Sequence, residues 1–257
     1  MAVAEEASPV QVTVMAADGS DILAALKAGW RDLRKAPVYG MAFALVYVLG
    51  GWLIVAAFTL KGQLWWTIPV SAGFPILGPF IACGFYEISR RLEAGEALSP
   101  AAVFGVVARQ KDRQIPSMAA VIVVFFLFWN FLSHMIFALF LGTSTLTNVT
   151  SSAAVFLTPQ GMAMLAMGTL VGAAFATLLF AVSVVSLPLL LDREVDFVTA
   201  MITSVRAVTA APVVMLGWGA LIAVSLFVAM LPGFLGLFVV LPLYGHASWH
   251  LYRRLIV

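Results

Sequence analysis

The chain has 257 residues, of which 63% are hydrophobic and only 10% are charged, and its mean hydropathy is +1.05. Soluble domains carry about 25% charged residues and about 45–50% apolar ones, so this composition excludes a soluble globular domain. The single cysteine, Cys83, excludes an internal disulfide framework. The net charge of +2 is small, and we expect no nucleic-acid partner.

The N-terminal segment opens with the polar, acidic stretch MAVAEEASP. Residues 1–37 contain no uninterrupted apolar segment followed by a small-residue cleavage site, so we expect no signal peptide. We predict that residues 1–20 form a flexible cytoplasmic tail and that residues 21–257 form a single membrane domain.

Six stretches reach the roughly 20 apolar residues that a helix needs to cross a bilayer. Their approximate bounds are 38–60, 64–87, 117–142, 161–190, 212–231 and 233–252. The sequence therefore predicts an all-α, polytopic membrane protein with six transmembrane helices.

The links between these spans alternate in charge. Residues 88–116, residues 191–211 and both terminal segments are charged, whereas residues 143–160 carry no charge. In this arrangement thirteen of the fourteen Lys and Arg residues lie on one side, and only Lys61 lies on the other. Because cationic loops resist translocation, both termini are predicted to be cytoplasmic.

An amphipathic stretch that ends at a proline precedes the first, third and fifth spans. These prolines are Pro37, Pro116 and Pro212, and aligning the first with the last also aligns Arg31 with Arg206. Proline suits the first turn of a helix and breaks the helix before it. We predict three repeated units, each an interfacial helix followed by a transmembrane hairpin, at about 21–92, 100–190 and 195–257.

The first amphipathic stretch, DILAALKAGWRDLRKAP, is a candidate docking helix. Its apolar residues fall on one helical stripe and are Ile22, Leu23, Leu26, Trp30 and Leu33. The candidate docking residues are Lys27, Trp30, Arg31, Arg34 and Lys35. Such a helix can lie in the headgroup layer, sense anionic lipid or bind a partner protein.

The segment GHASWHLYRR carries His246 and His250 one helical turn apart, and the chain has only three histidines. Two histidines at this spacing can hold a metal from one helix, but a zinc site needs a third ligand and a base, for which Glu87 is the nearest candidate by depth. A haem held between two helices needs one histidine on each helix, which the sequence does not offer at matched depth. The alternative is that Trp249, His250 and Tyr252 form a polar and aromatic collar at the membrane boundary. We favour the collar and predict no cofactor and no metal.

Two further groups of residues are candidate sites within the spans. Asn130, Ser133 and His134 are polar residues at membrane depth that could hydrogen-bond to a neighbouring helix. Possible helix breaks in SAGFPILGPF are Gly73, Pro75, Gly78 and Pro79. Broken helices mark binding sites in secondary transporters, but prolines in membrane helices are also often simple kinks, which we favour here.

At GWRDLRKAPVYG, GPFIACGFYEISRRLEAGE, SLPLLLDREVDFVTAM and GHASWHLYRR the chain resembles a bacterial family of inner-membrane proteins of unknown function. Some members carry a label that relates them to subunit I of cytochrome c oxidase. That subunit uses many more spans and histidine ligands than are predicted here. The resemblance implies a bacterial inner-membrane location, with respiration as one candidate setting, and supplies no site residues.

The polar residues in the spans are too few and too mild to indicate catalysis, so we expect no enzymatic activity. The leading hypothesis is an accessory, assembly or scaffold protein that contacts the lipid bilayer and other inner-membrane proteins. The alternatives are a small-solute transporter or channel and a haem- or metal-binding membrane protein. Nothing in the sequence indicates an oligomeric state.

The six-span topology predicts where a reporter that is active only outside the cytoplasm gives signal. A fusion after residue 150 should be active, whereas fusions after residues 100, 200 and 257 should be silent. Activity of the fusion after residue 200 would contradict the predicted topology.

Overall fold

The computed structural model describes residues 12–61, 67–142 and 153–257, and its architecture there is all-helical. The helices in chain order are α1 (Gly19–Lys35), α2 (Pro37–Lys61), α3 (Thr67–Ala94), α4 (Pro100–Gln110), α5 (Ile115–Leu141), α6 (Pro159–Ser183), α7 (Ser186–Asp192), α8 (Phe197–Ala210), α9 (Pro212–Met230) and α10 (Leu237–Leu255). A short 3₁₀ helix, Ala153–Leu157, precedes α6. Residues 1–11 of the predicted tail and residues 143–152 of the predicted uncharged link lie outside the described residues.

Within the described residues, four helical segments are long and apolar enough to cross a membrane. They are Pro37–Ala56, Ile115–Leu141, Pro159–Asp192 and Pro212–Met230. Large apolar side chains are exposed along them, such as Phe131 and Leu139 on α5. A soluble monomer rarely exposes apolar surface on this scale, so the chain is an integral membrane protein with several apolar helices.

The other two predicted spans correspond to α3 and α10. The start of the second predicted span, residues 64–66, lies outside the described residues. The sixth is shorter than predicted, because α10 begins at Leu237 and its C-terminal half carries the polar segment GHASWHLYRR. The count of six spans stays a prediction.

A short helix is followed by two long ones three times along the described chain: α1–α3, α4–α6 and α8–α10. Among the helices that follow the short ones, α2 and α9 begin at Pro37 and Pro212, and Pro116 lies in the first turn of α5. Proline fits there because the first turn of a helix has no internal acceptor for its N–H groups. The element order is the one that the predicted units require, and the repetition itself stays a prediction.

Helices α1, α4 and α8, the first of each group of three, begin with a side-chain cap. Asp18 Oδ1 accepts hydrogen bonds from the N–H groups of Ser20 and Asp21, at 2.6 and 3.0 Å, at the start of α1. Ser99 caps α4 and Asp196 caps α8 in the same way. A cap satisfies N–H groups that the helix itself leaves open, so the sequence determines locally where these helices start.

Charged side chains join the ends of helices that are distant in sequence. The contacts are Arg254 Nη1 to Asp21 Oδ1 at 3.0 Å, Arg253 Nε to Glu93 Oε1 at 3.3 Å, Tyr252 Oη to Asp192 Oδ2 at 2.7 Å, and Arg113 to Glu194. They bring the C-terminal ends of α3, α7 and α10 together with the start of α1. We call this end of the helix bundle the charged end.

The two ends of the described chain also meet there. Thr13 and Val257 exchange backbone hydrogen bonds of 3.2 and 3.1 Å, and Val14 and Ile256 form an isolated antiparallel bridge. Residues 12–18, predicted as part of a flexible tail, are therefore anchored to the C-terminal end of the chain.

Helix α1 lies directly against α10, at a contact between their backbones. A Cβ atom at Gly29 would lie 2.7 Å from the backbone nitrogen of Ala247 and 2.8 Å from the carbonyl oxygen of Leu243. Backbone atoms of a packed helix cannot move aside as a flexible side chain can. Position 29 therefore accepts only glycine if α1 is to keep this position on α10.

Gly29→Ala is expected to lower the free energy of unfolding by about 1–3 kcal/mol, as overpacking does in other cores. The measurement is the thermal unfolding of the purified protein in detergent, followed by tryptophan fluorescence. The matched control is Gly19→Ala in the same helix, where a Cβ atom has no neighbour within 4 Å. Equal stability of the two variants would contradict the close contact.

Candidate functional site

A buried polar cluster lies where α1, α3 and α10 meet. We call it the histidine cluster, and its members are Asp32, Ser89, His246 and His250. Asp32 is 2% exposed, and Ser89 and His246 are fully buried. Buried polar groups are costly unless they are hydrogen-bonded, so their partners determine whether this arrangement is stable.

His250 hydrogen-bonds to the carboxylate of α1. Its Nε2 donates to Asp32 Oδ2 at 2.6 Å, and Arg31 Nε lies 3.8 Å from the other carboxylate oxygen. Burial alone would raise the pKa of Asp32, but the hydrogen bond and charge of His250, with a hydrogen bond from Ser89, hold that pKa below its ordinary value. The carboxylate is therefore ionised at neutral pH and fixes the position of α1 on α10.

His246 bonds to α3 instead. Its Nδ1 lies 2.9 Å from Ser89 Oγ and 3.2 Å from the carbonyl oxygen of Phe85, while its Nε2 has no partner among the described residues. The two histidines thus lie on one face of α10, as predicted, but bond to different helices. Both take part in interhelical packing.

The alternative of a metal or haem site gains no further ligand from the structure. Across the described ranges, no group of three or more His, Cys, Asp or Glu side chains is placed to hold a metal ion. Glu87, the candidate third ligand, bonds to arginines: Arg90 Nε and Arg91 Nε each lie 2.8 Å from one of its oxygens.

The boundary collar is wrong for Trp249 and Tyr252. Both side chains are 1% exposed and lie inside the bundle, where Trp249 Nε1 donates to Glu93 at 3.0 Å and Tyr252 Oη donates to Asp192. The reason is that α1 and α3 cover this face of α10, which the sequence pattern assigned to the membrane boundary. His250, the third member, is largely buried too.

The polar residues of α5 bond within their own helix. Ser133 Oγ donates to the carbonyl oxygen of Asn130 at 2.8 Å, and His134 Nδ1 lies 2.7 Å from the same oxygen. His134 is exposed, and it does not join the histidine cluster. These hydrogen bonds satisfy the two side chains without the neighbouring helix that the sequence suggested.

Helix α3 is continuous across the candidate break positions. It runs from Thr67 to Ala94 and includes Gly73, Pro75, Gly78 and Pro79. A proline removes one backbone hydrogen bond, which a membrane helix tolerates without unwinding. The four residues therefore do not separate α3 into two helices.

The candidate docking residues Lys27, Trp30, Arg31, Arg34 and Lys35 are all exposed. The predicted apolar stripe is divided between two faces. Leu23 and Trp30 point outward with the cations, while Ile22, Leu26 and Leu33 pack inward. The division follows from Ala25, Gly29 and Asp32, whose small or hydrogen-bonded side chains allow α10 to approach this side of α1.

Sequence reasoning missed Asp32 and Ser89. Asp32 lies among the charged residues of the first amphipathic stretch, and Ser89 lies between charged residues near the end of α3. The spacing Ala25–Gly29–Asp32 was an available signal, because small residues three and four apart on one helix face permit close helix contact.

Residues 67–192 match the model of a family described as a predicted integral membrane protein (DUF2189), whose function is not known. No curated protein and no solved structure matches the chain. The matched residues include Ser89 of the histidine cluster and all of α4 and α5.

Asp32→Asn is expected to lower the free energy of unfolding by about 1.5–3 kcal/mol at pH 5, because it removes a charged acceptor from a buried hydrogen bond. A depressed pKa means that the stabilisation is fully present above the ordinary value of 3.8 and is lost as the pH falls through the lower folded value. The difference in melting temperature between wild type and variant should therefore shrink only below about pH 4.

Asp112→Asn is the matched control, since its side chain is 80% exposed. This variant should have the same melting temperature as the wild type at every pH. If Asp32→Asn lowers the melting temperature by the same amount at pH 3 and pH 5, the ionised Asp32 carboxylate is contradicted.

Proposed function

We propose that this membrane protein is a non-enzymatic accessory, assembly or scaffold component of a bacterial inner-membrane complex. The observation that carries the proposal is the outward face of α1. This face, which we call the docking face, consists of Leu23, Lys27, Trp30, Arg31 and Arg34.

The proposed topology has six spans with both termini in the cytoplasm. Support comes from the charged end, where the helix termini that the sequence assigned to one side of the membrane are joined by ion pairs. Because cationic segments resist translocation, this end is proposed to be cytoplasmic. The docking face then lies on the cytoplasmic side of the membrane.

The docking face is held rigidly by the opposite side of its own helix. Asp32 bonds to His250, Gly29 contacts the backbone of α10, and Asp21 pairs with Arg254. A surface fixed before binding loses little conformational entropy when a partner binds. The docking face is therefore suited to specific association.

The composition of the docking face favours an acidic protein partner. Trp30 is 48% exposed and Leu23 is 53% exposed, and three cations surround them. Tryptophan and arginine contribute most of the binding energy at many protein interfaces. Each cation contributes about 1 kcal/mol near an anionic surface, so lipid headgroups are the alternative occupant that the experiment must separate.

The test replaces the three cations of the docking face, Lys27, Arg31 and Arg34, and the neighbouring exposed Lys35 with Gln. The proposal expects normal membrane insertion and loss of a specific membrane-protein partner on purification in mild detergent, because the electrostatic contacts are gone. The wild-type association should weaken as salt is raised. Mass spectrometry of the purified material measures partner recovery.

The matched control keeps every charge: Lys27→Arg, Arg31→Lys, Arg34→Lys and Lys35→Arg. It should recover more partner than the Gln variant. Equal partner recovery by the wild type and the Gln variant would show that the cations serve topology or lipid contact, and the docking role would be rejected.

A further inference from the structure

A second feature of the charged end is a cavity between α3, α4 and the end of α7. Its volume is about 350 Å³, and we call it the arginine cavity. Its polar lining residues are Glu87, Arg90, Arg91, Arg109, Gln110, Arg113 and Asp192. From outside the lining, Glu96 and Glu194 pair with three of these arginines.

Glu87 holds three of these arginines in place. It is 3% exposed, and its oxygens lie 2.8 Å from Arg90 Nε, 2.8 Å from Arg91 Nε and 3.4 Å from Arg109 Nη2. Glu96 also pairs with Arg90 and Arg91, at 3.3 and 3.0 Å. Glu87 therefore fixes the orientation of the arginines, and among the described residues Arg109 has a charged partner only in the carboxylate that it shares with the other two.

Several donors in the cavity remain open. In the described part of the chain, Arg109 hydrogen-bonds through Nη2 alone, to Glu87 and to the carbonyl of Ala102, and Arg113 bonds through Nη2 alone, to Glu194. The Nε and Nη1 groups of both arginines are left for a ligand. A guanidinium group presents its donors in a planar fork, which matches two oxygens of a phosphate group.

Gln110 supplies a separate observation. It is 3% exposed and lines the cavity, and its Oε1 has no hydrogen-bond partner among the described residues. An unsatisfied buried amide atom is costly. A hydroxyl group on the ligand would satisfy it.

We propose that the arginine cavity binds a phosphate-bearing anion, with Arg109 and Arg113 as its principal ligands. The cavity has room for a phosphate ester with a small hydroxylated group, whose hydroxyl would reach Gln110. The phosphate could belong to the headgroup of an anionic lipid or to a soluble molecule. This proposal uses a different surface from the docking face and does not depend on it.

The experiment measures binding to the full-length protein in non-ionic detergent by calorimetry, in two arms. One arm titrates inorganic phosphate, and the other titrates short-chain phosphatidylglycerol, with phosphatidylcholine of the same chain length as the zwitterionic reference. The test variant carries Arg109→Gln and Arg113→Gln. The matched control carries Lys111→Gln and Arg206→Gln, which removes the same charge from exposed residues outside both the cavity lining and the docking face.

The proposal expects saturable binding in at least one arm, weakened about tenfold or more in the test variant, because hydrogen bonds to charged groups are lost. The control variant should bind as the wild type does. Binding of phosphate assigns a soluble ligand, and binding of phosphatidylglycerol alone assigns a lipid headgroup.

The proposal is overturned if the wild type shows no saturable binding in either arm, or if the test and control variants lose affinity equally. If the Gln variant does not purify as a folded protein, Arg109→Lys with Arg113→Lys replaces it. The Lys variant keeps the charge but loses the planar fork, so it should bind measurably less tightly than the wild type. Unchanged affinity in the folded variant also overturns the proposal.

Discussion

The contact between α1 and α10 is the constraint on which the rest of the structure depends. At Gly29 the two helices meet backbone to backbone, and three residues later the buried Asp32 carboxylate bonds to His250. A buried carboxylate without a partner would cost several kcal/mol, so the two helices must keep this alignment. The alignment turns Leu23 and Trp30 outward and brings the start of α1 to Arg254.

The few charges of this chain are concentrated where they determine its structure. At the charged end, ion pairs join α1 to α10, α10 to α3, and the segment before α5 to the segment after α7. Around Glu87 the same chemistry fixes several arginines along the arginine cavity. Helix packing and ion pairing thus create two distinct surfaces that carry arginines, one facing outward on α1 and one recessed beside α4.

Local patterns predicted the helices well but not their partners. Prolines and apolar length correctly placed the starts of α2 and α9, and the spacing of His246 and His250 correctly predicted a shared helix face. The prediction that the large apolar residues of α1 share one buried face was only partly correct. Such a pattern is dominated by large residues, whereas the contact with α10 is made through glycine and alanine. The hydrogen bond from His250 to Asp32 joins residues 218 positions apart, which no local spacing can reveal.

The most direct test of the account is whether α1 lies on α10 in the membrane-embedded protein. Val14 and Ile256 pair across an antiparallel bridge, in which opposed Cα atoms lie about 4.5–5.5 Å apart, within the range of a disulfide. With Cys83 replaced by Ala, Val14→Cys and Ile256→Cys should form an intramolecular disulfide under mild oxidation, detected by mass spectrometry of the intact protein. If both thiols stay reduced although each reacts with a thiol reagent, the position of α1 on α10 is contradicted.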